Sequence, residues 1–206
     1  MPQRKGGTNV GRKIVLASGS PRRRELLQNL GLTFAVVPSD VDESDHRDLA
    51  PSELAELLAM AKAEDVAGRE DGLVIGADTI VIIDGDVLGK PRDRQEAAAM
   101  LGRLAGRTHT VITGLAVKDT EGGRLVVTHE STQVTMRTLT PEEVNGYVAT
   151  GEPMDKAGAY AVQGIGSLLV ERIEGCYFNV VGLPVTRLGR VLESFGINVL
   201  SGRTHV

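Results

Sequence analysis

The chain has no tryptophan and only 3% aromatic residues, so its core must be built mainly from Val, Leu, Ile and Ala. One cysteine, Cys176, excludes an internal disulfide and a zinc site made of clustered cysteines. No apolar run is long enough to span a bilayer, and residues 1–7 are basic and lack the apolar stretch of a signal peptide. Residues 1–12 are therefore expected to form a flexible tail, and the protein is expected to be cytoplasmic with no membrane partner. The net charge of −4 argues against a general nucleic-acid-binding surface. His46, His109, His129 and His205 show no metal-ligand spacing. Neither a Gly-x-Ser-x-Gly elbow nor a Gly-x-x-x-x-Gly-Lys phosphate loop is present.

What is present is enough apolar residue, 41% of 206, to bury a sizeable core. Residues 13–206 are expected to form a single two-lobed domain. Strand signals fall at residues 13–17, 33–37, 73–77 and 80–83. They continue at 86–88, 108–118, 124–137 and 167–173. Helical signals fall at residues 21–30, 52–67, 94–104, 141–149 and 183–195. In the second of these helices Leu54, Leu57, Leu58 and Ala61 form the expected apolar face. Asp84-Gly85 marks a tight hairpin turn, and Pro141 follows a good N-cap, Thr140. Strands and helices interleave, with hairpins added. That order predicts an α/β protein: a mixed-direction sheet with flanking helices.

The most informative stretch is Ser18-Gly19-Ser20-Pro21-Arg22-Arg23-Arg24, directly after the apolar run Ile14-Val15-Leu16-Ala17. Ser20 suits an N-cap and Pro21 the first helical position. The unpaired N–H groups and dipole of such a helix end favour an anion, and three arginines beside it add fixed positive charge. A capped surface helix with a solvated basic turn would read the same way. Asp78-Thr79 follows an apolar strand, where a carboxylate is well placed at a sheet-edge crevice to bind Mg²⁺ or take a proton from water. Lys90, between Gly89 and Pro91, could neutralise phosphate. Taken singly, Asp78 also fits a turn and Lys90 a solvated loop. Gln163 lies in the small-residue stretch from Gly151 to Gly164 and carries both a donor and an acceptor, as base recognition requires. Asp40, Asp42, Glu43, Asp45 and Asp48 form an acidic loop. Asp42 and Glu43 could join Asp78 around a hard cation, although a solvated loop is the commoner outcome. Lys62 either points into a cleft or is solvated.

Together these segments resemble the Maf family of nucleoside triphosphate pyrophosphatases, also called septum formation inhibitor proteins. The matching stretches are Leu16-Ala17-Ser18 through Leu27, Gly76-Ala77-Asp78-Thr79, Leu88-Gly89-Lys90-Pro91, Asp155-Lys156-Ala157-Gly158 through Gln163-Gly164, and Asn179-Val180-Val181-Gly182-Leu183-Pro184. The resemblance implies an elongated two-lobed fold similar to that of inosine triphosphate pyrophosphatases, a divalent cation (Mg²⁺ or Mn²⁺) and a homodimer. It implies cleavage between the α- and β-phosphates of a nucleoside triphosphate, giving the monophosphate and pyrophosphate. Carried over by motif, Asp78 is the proton acceptor. Ser18, Arg22, Glu43, Lys62, Thr79, Lys90 and Gln163 contact substrate, and Asp78 with Glu43 holds the metal. The Lys156 and Gln163 pattern looks like the branch acting on dTTP and UTP. The alternatives are the branch acting on 7-methyl-GTP and a non-catalytic nucleotide-binding regulator of cell division. Cys176 departs from the family pattern, which often has Asp before its aromatic pair, here Tyr177-Phe178.

Overall fold

A computed structural model describes residues 12–42 and 49–201 of the chain. Its centre is a sheet in the order β2 (Ala35–Val36), β1 (Ile14–Leu16), β3 (Leu73–Ile83), β5 (Thr108–Asp119), β6 (Leu125–Met136) and β7 (Val170–Glu174). A short strand, β4 (Asp86–Leu88), also pairs with β3. β1 runs parallel to β2 and β3, and the other pairings are antiparallel, so the sheet is mixed as expected. The helices are α1 (Pro21–Asn29), α2 (Pro51–Ala67), α3 (Arg94–Leu104), α4 (Pro141–Ala149), α5 (Tyr177–Val181) and α6 (Val185–Ser194).

β3 is one continuous strand of 11 residues, where the sequence reading divides it at Asp78-Thr79. β5 pairs with it from Leu73 to Ile82, and that unbroken ladder holds the two halves in line. Its other edge is shared. β1 pairs only with residues 73–75, and β4 only with residues 81–83. Among the described residues no strand lies beside residues 76–80 on that edge. Asp78 is therefore not at a strand end. It sits in mid-strand, at a gap left by the shortness of its neighbours.

Alternation along β3 sends Gly76, Asp78 and Ile80 to one face and Ala77, Thr79 and Val81 to the other. α2 covers the first face, packing Ala55, Ala59, Ala63 and Val66 onto Val74, Ile80, Ile112 and Ala116. The buried stripe of α2 is thus alanine-rich, not the leucine face expected. A Cβ on Gly76 would lie 2.2 Å from the Ala59 carbonyl oxygen, and one on Gly114 only 1.9 Å from that of Ala55. With helix and sheet this close, only small side chains fit between them.

The opposite face carries two separate cores. One gathers Leu16, Leu27, Ile75, Leu115, Leu183, Leu188 and Leu192 around α1 and α6. The other gathers Val81, Leu88, Leu101, Met136, Tyr147 and Leu169 around α3 and α4. Ile75 and Val81 belong to different cores, and Thr79 lies between them. This division is the two-lobed arrangement in physical terms.

Three further expectations shift. The segment 164–169 is a 3-10 helix before β7, because glycines at 164 and 166 favour a tight turn over extended chain. The segment 177–181, which falls outside every expected strand and helix, forms α5. Arg12 is not part of a tail: its guanidinium bonds the Asp119 carboxylate. Residues 1–11 lie outside the described residues.

Candidate active site

The gap beside β3 opens into a cleft of about 480 Å³ between the two lobes. Ser18, Arg22, Lys62, Asp78, Thr79, Lys90 and Gln163 all line it. Glu43, the remaining expected site residue, lies outside the described residues. Asp42 is exposed and does not line the cleft.

At the inner wall, Lys62 on α2 donates to Asp78 Oδ1 at 2.5 Å. Each residue is 7% exposed, so this is an ion pair with little access to water. The close approach at Gly76, two residues before Asp78, brings α2 within reach. Lys62 falls on the same helical face as the buried Ala55, Ala59 and Ala63.

On the other face of the sheet, α1 starts where β1 ends. Ser20 caps it, with its Oγ accepting from Arg23 N. Arg22, Arg23 and Arg24 then diverge. Arg24 is exposed and outside the cleft lining. Arg22 is at the cleft mouth, with Nη1 3.5 Å from Asp155 Oδ2 on the second lobe. Arg23 is buried. Its Nε donates to Gly182 O at 2.7 Å, Nη1 to Ser18 Oγ at 3.2 Å and Nη2 to Thr79 Oγ1 at 3.0 Å. The three-arginine cradle is therefore two arginines, one of them already committed to the protein. The helical period carries the signal: Arg23, Leu26 and Leu27 are spaced i, i+3, i+4 and form the buried face of α1. The sequence reading took the arginines as a block and missed the distinction.

The hydrogen bonds beyond Thr79 have a fixed direction. Thr113 donates to Asn179 O at 3.0 Å, so its hydroxyl proton is used. In the 2.9 Å contact between the two threonines, Thr79 must therefore be the donor to Thr113 Oγ1. Thr79 is then left with an acceptor lone pair only. Asn179 Nδ2 continues the network to Val111 O and Thr132 Oγ1. Thr113 and Asn179 are 0% exposed and were missed from sequence, since only strand register brings Thr113 opposite Thr79.

The second lobe supplies the facing wall. Lys90 is exposed at the rim and forms no ion pair among the described residues, while Gly89 O accepts from Gly158 N beside it. Lys156 Nζ donates to Glu152 O and Asp155 Oδ1, both at 2.6 Å. Gln163 is half-buried, and its amide makes no hydrogen bond within the described residues. Tyr160 forms part of the floor, backed by His109, whose Nε2 lies 2.7 Å from the Tyr160 hydroxyl. Burial pushes His109 down to about 4, so the ring is neutral at pH 7.

The family model for Maf-like proteins matches residues 13–195. The chain belongs to this family. A dTTP/UTP pyrophosphatase of Pelotomaculum thermopropionicum is 56% identical over 190 residues, 92% of this chain and 100% of that protein. One from Moorella thermoacetica is 57% identical over 188 residues, 91% and 97% of the two chains. A nucleoside-triphosphatase / dITP/XTP pyrophosphatase structure from Mycobacterium abscessus is a distant likeness. It shows 16% identity and a TM-score of 0.43, over 89% of this chain and 97% of that one. The family match covers every segment that builds the cleft, from Ala17 to Gly182.

A divalent cation fits the donor set in a limited way. Among the described residues no three His, Cys, Asp or Glu side chains cluster as metal ligands. Asp78 is nevertheless a buried carboxylate in a cleft also lined by Arg22 and Lys90. Mg²⁺ is commonly held by one or two carboxylates plus substrate phosphates, and Asp78 suits that mode.

Proposed function

We propose that this protein hydrolyses dTTP and UTP to the monophosphate and pyrophosphate. The observation that carries this reading is the meeting, in one cleft, of the buried Asp78–Lys62 pair, the Arg22 and Lys90 cations and the uncommitted amide of Gln163. Relatives 56–57% identical over nine-tenths of the chain, named dTTP/UTP pyrophosphatase, support it.

Asp78 is the proton acceptor. Lys62 takes one carboxylate oxygen and fixes the orientation, leaving the second to receive a proton from water. The water oxygen attacks the α-phosphorus, the bond to the bridging oxygen breaks, and pyrophosphate leaves with the electron pair. Arg22 and Lys90 approach the triphosphate from opposite lobes and stabilise its charge. Arg23 holds Ser18 and Thr79 in place. A divalent cation held by Asp78 and the phosphates would supply further charge neutralisation.

Gln163 reads the base. Uracil and thymine offer a ring N–H beside carbonyl groups, so the amide can donate to a carbonyl and accept from that N–H. Cytosine lacks the N–H and replaces one carbonyl with an amino group, so the same amide pose meets a mismatch. A site built on such bonds rejects the wrong base because its own polar groups go unpaired.

The test is pyrophosphate release by the purified protein with Mg²⁺, over dTTP, UTP, dCTP, CTP and 7-methyl-GTP. Efficient release from dTTP and UTP, with dCTP and CTP poor, is expected. Equal rates on UTP and CTP, a preference for 7-methyl-GTP, or orthophosphate as the direct product would overturn it.

A further inference from the structure

The segment that carries Gln163 is held from behind by a carboxylate outside the cleft. Glu152 Oε1 accepts from the Tyr147 hydroxyl at 2.9 Å and from Gly166 N at 2.9 Å, and Oε2 accepts from Ile165 N at 3.1 Å. The Tyr147 oxygen in turn accepts from Ala161 N at 3.2 Å. Gln163 is therefore suspended between two fixed points: Ala161, two residues before it, and Ile165, two residues after it. Neither Glu152 nor Tyr147 lines the cleft.

The geometry of the segment is matched to this clamp. Gly164 has φ +65°, and a Cβ there would lie 2.8 Å from Glu152 Oε2. A Cβ on Gly166 would lie 2.4 Å from Ala161 O and 2.6 Å from Tyr147 Oη. The loop closes around the carboxylate so tightly that only glycine fits at both places. Two successive backbone N–H groups aimed at one carboxylate give charge-assisted bonds, stronger than neutral ones. The net effect of the surroundings holds Glu152 below the usual carboxylate range: burial opposes this, and the Gly166 N–H, the Tyr147 hydroxyl, the Ile165 N–H and the Lys156 charge together outweigh it.

We infer that Glu152 is a positioning residue for base selection, which fixes the backbone of residues 161–166 so that the Gln163 amide meets the pyrimidine edge in one pose. The inference rests on the reading of Gln163 given above. It assigns Glu152 no contact with substrate and no part in bond cleavage. Its loss should therefore spread the Gln163 poses without touching Asp78. A misplacement of about 1 Å costs a positioned group on the order of a hundredfold, so partial loosening should cost about tenfold.

The test measures kcat and KM for dTTP and dCTP in Glu152→Gln, Tyr147→Phe, Gln163→Ala and the Glu152→Gln/Gln163→Ala double variant, with melting curves for each. In Glu152→Gln the dTTP-over-dCTP preference should fall about tenfold through KM, with kcat for dTTP within about twofold of wild type. Tyr147→Phe, which leaves the ring and the two backbone bonds in place, should move the preference the same way by less. In the Gln163→Ala background Glu152→Gln should change the preference no further. If Gln163→Ala lowers the preference and neither Glu152→Gln nor Tyr147→Phe does, the positioning role falls and base reading stands. If Gln163→Ala leaves the preference unchanged, base reading itself falls, and the inference with it. Should Glu152→Gln fail to fold, Tyr147→Phe alone decides between these outcomes.

Discussion

The two walls of the cleft are built on opposite terms. On the inner wall Lys62, Asp78 and Arg23 are 7–9% exposed and bonded to one another's neighbourhoods through α1, α2 and β3. On the facing wall and at the mouth, Arg22, Lys90 and Gln163 are partly or largely exposed and carry few bonds to protein. Charges removed from water must be satisfied within the fold, so the inner wall is set before substrate arrives. The rim groups keep their hydrogen-bonding capacity for a ligand. Changes on the inner wall should therefore damage stability and chemistry together, and changes at the rim should damage substrate handling and leave stability alone.

Asp78→Asn is the largest expected break. It removes the proposed proton acceptor, a role that typically supplies about 10²–10⁴-fold in rate. Asparagine is nearly isosteric, yet the change will not be silent for the fold. Losing the partner of a buried ammonium costs about 3–5 kcal/mol, and at roughly 2–4 °C per kcal/mol for a chain this size Tm should fall visibly. Turnover near wild type would remove Asp78 from the mechanism. An unchanged Tm with lost turnover would show that the inner wall is less electrostatically committed than its geometry indicates.

His109 extends the comparison to the floor beneath the rim. Here a buried polar group is only half satisfied: Nε2 meets Tyr160, and Nδ1 has no partner in the described residues. Burial lowers the group to about 4 in the folded protein, against about 6.5 unfolded. The folded state thus binds fewer protons in this range. Stability should be full above pH 6.5 and decline as pH falls from 6.5 towards 4, by on the order of 3 kcal/mol. Thermal melts of wild type and His109→Gln between pH 7.5 and 4.5 measure the difference. Parallel pH profiles would show that His109 contributes none of the acid sensitivity.

The same contrast explains what could be read from the sequence. Periodicity and turn chemistry located most elements, and Ser20, Thr140 and Asp84-Gly85 act as local rules require. Ser18 and Lys90 reached the cleft because their motifs follow the ends of β1 and β4 at the gap. What was not legible depends on non-local geometry. Arg23 and Arg22 are adjacent in sequence, but helix phase separates a buried support from a mouth cation. The alanine stripe of α2 makes sense only once Gly76 and Gly114 have drawn the sheet close. The mid-strand place of Asp78 follows from where β1 and β4 stop, which no residue near Asp78 encodes. Thr113 and Asn179 are ordinary residues until strand register joins them to Thr79.

At the rim the expected losses are smaller and leave the fold alone. Lys90→Ala should raise KM for dTTP by about ten- to a hundredfold, as expected for losing one hydrogen bond to a charged group. Tm should move by no more than about 1 °C, because Lys90 is exposed and forms no ion pair among the described residues. Gln163→Glu should lower dTTP and UTP turnover by losing the amide donor, again with an unchanged melt. A large drop in Tm for either variant would contradict the division between the two walls.

The smallest expected effect has the opposite sign. Arg22 Nη1 lies 3.5 Å from Asp155 Oδ2, and their side chains are 29% and 66% exposed. A pair this open to solvent is worth about 0.2–1 kcal/mol. It nonetheless joins Arg22, the proposed phosphate-binding arginine of one lobe, to a carboxylate of the other, so an incoming triphosphate should compete with Asp155 for the same guanidinium. Asp155→Asn removes that competitor and a negative charge from the mouth. Up to 1 kcal/mol corresponds to about fivefold in affinity, so KM for dTTP should fall by at most about fivefold. The shift should be larger at low ionic strength, because exposed charges are screened by salt. Lys156 also bonds Asp155 Oδ1, and the asparagine amide can keep that contact through its own oxygen. A KM that rises in Asp155→Asn would mean that Asp155 holds Arg22 in its binding pose. The mouth would then be built in advance, as the inner wall is.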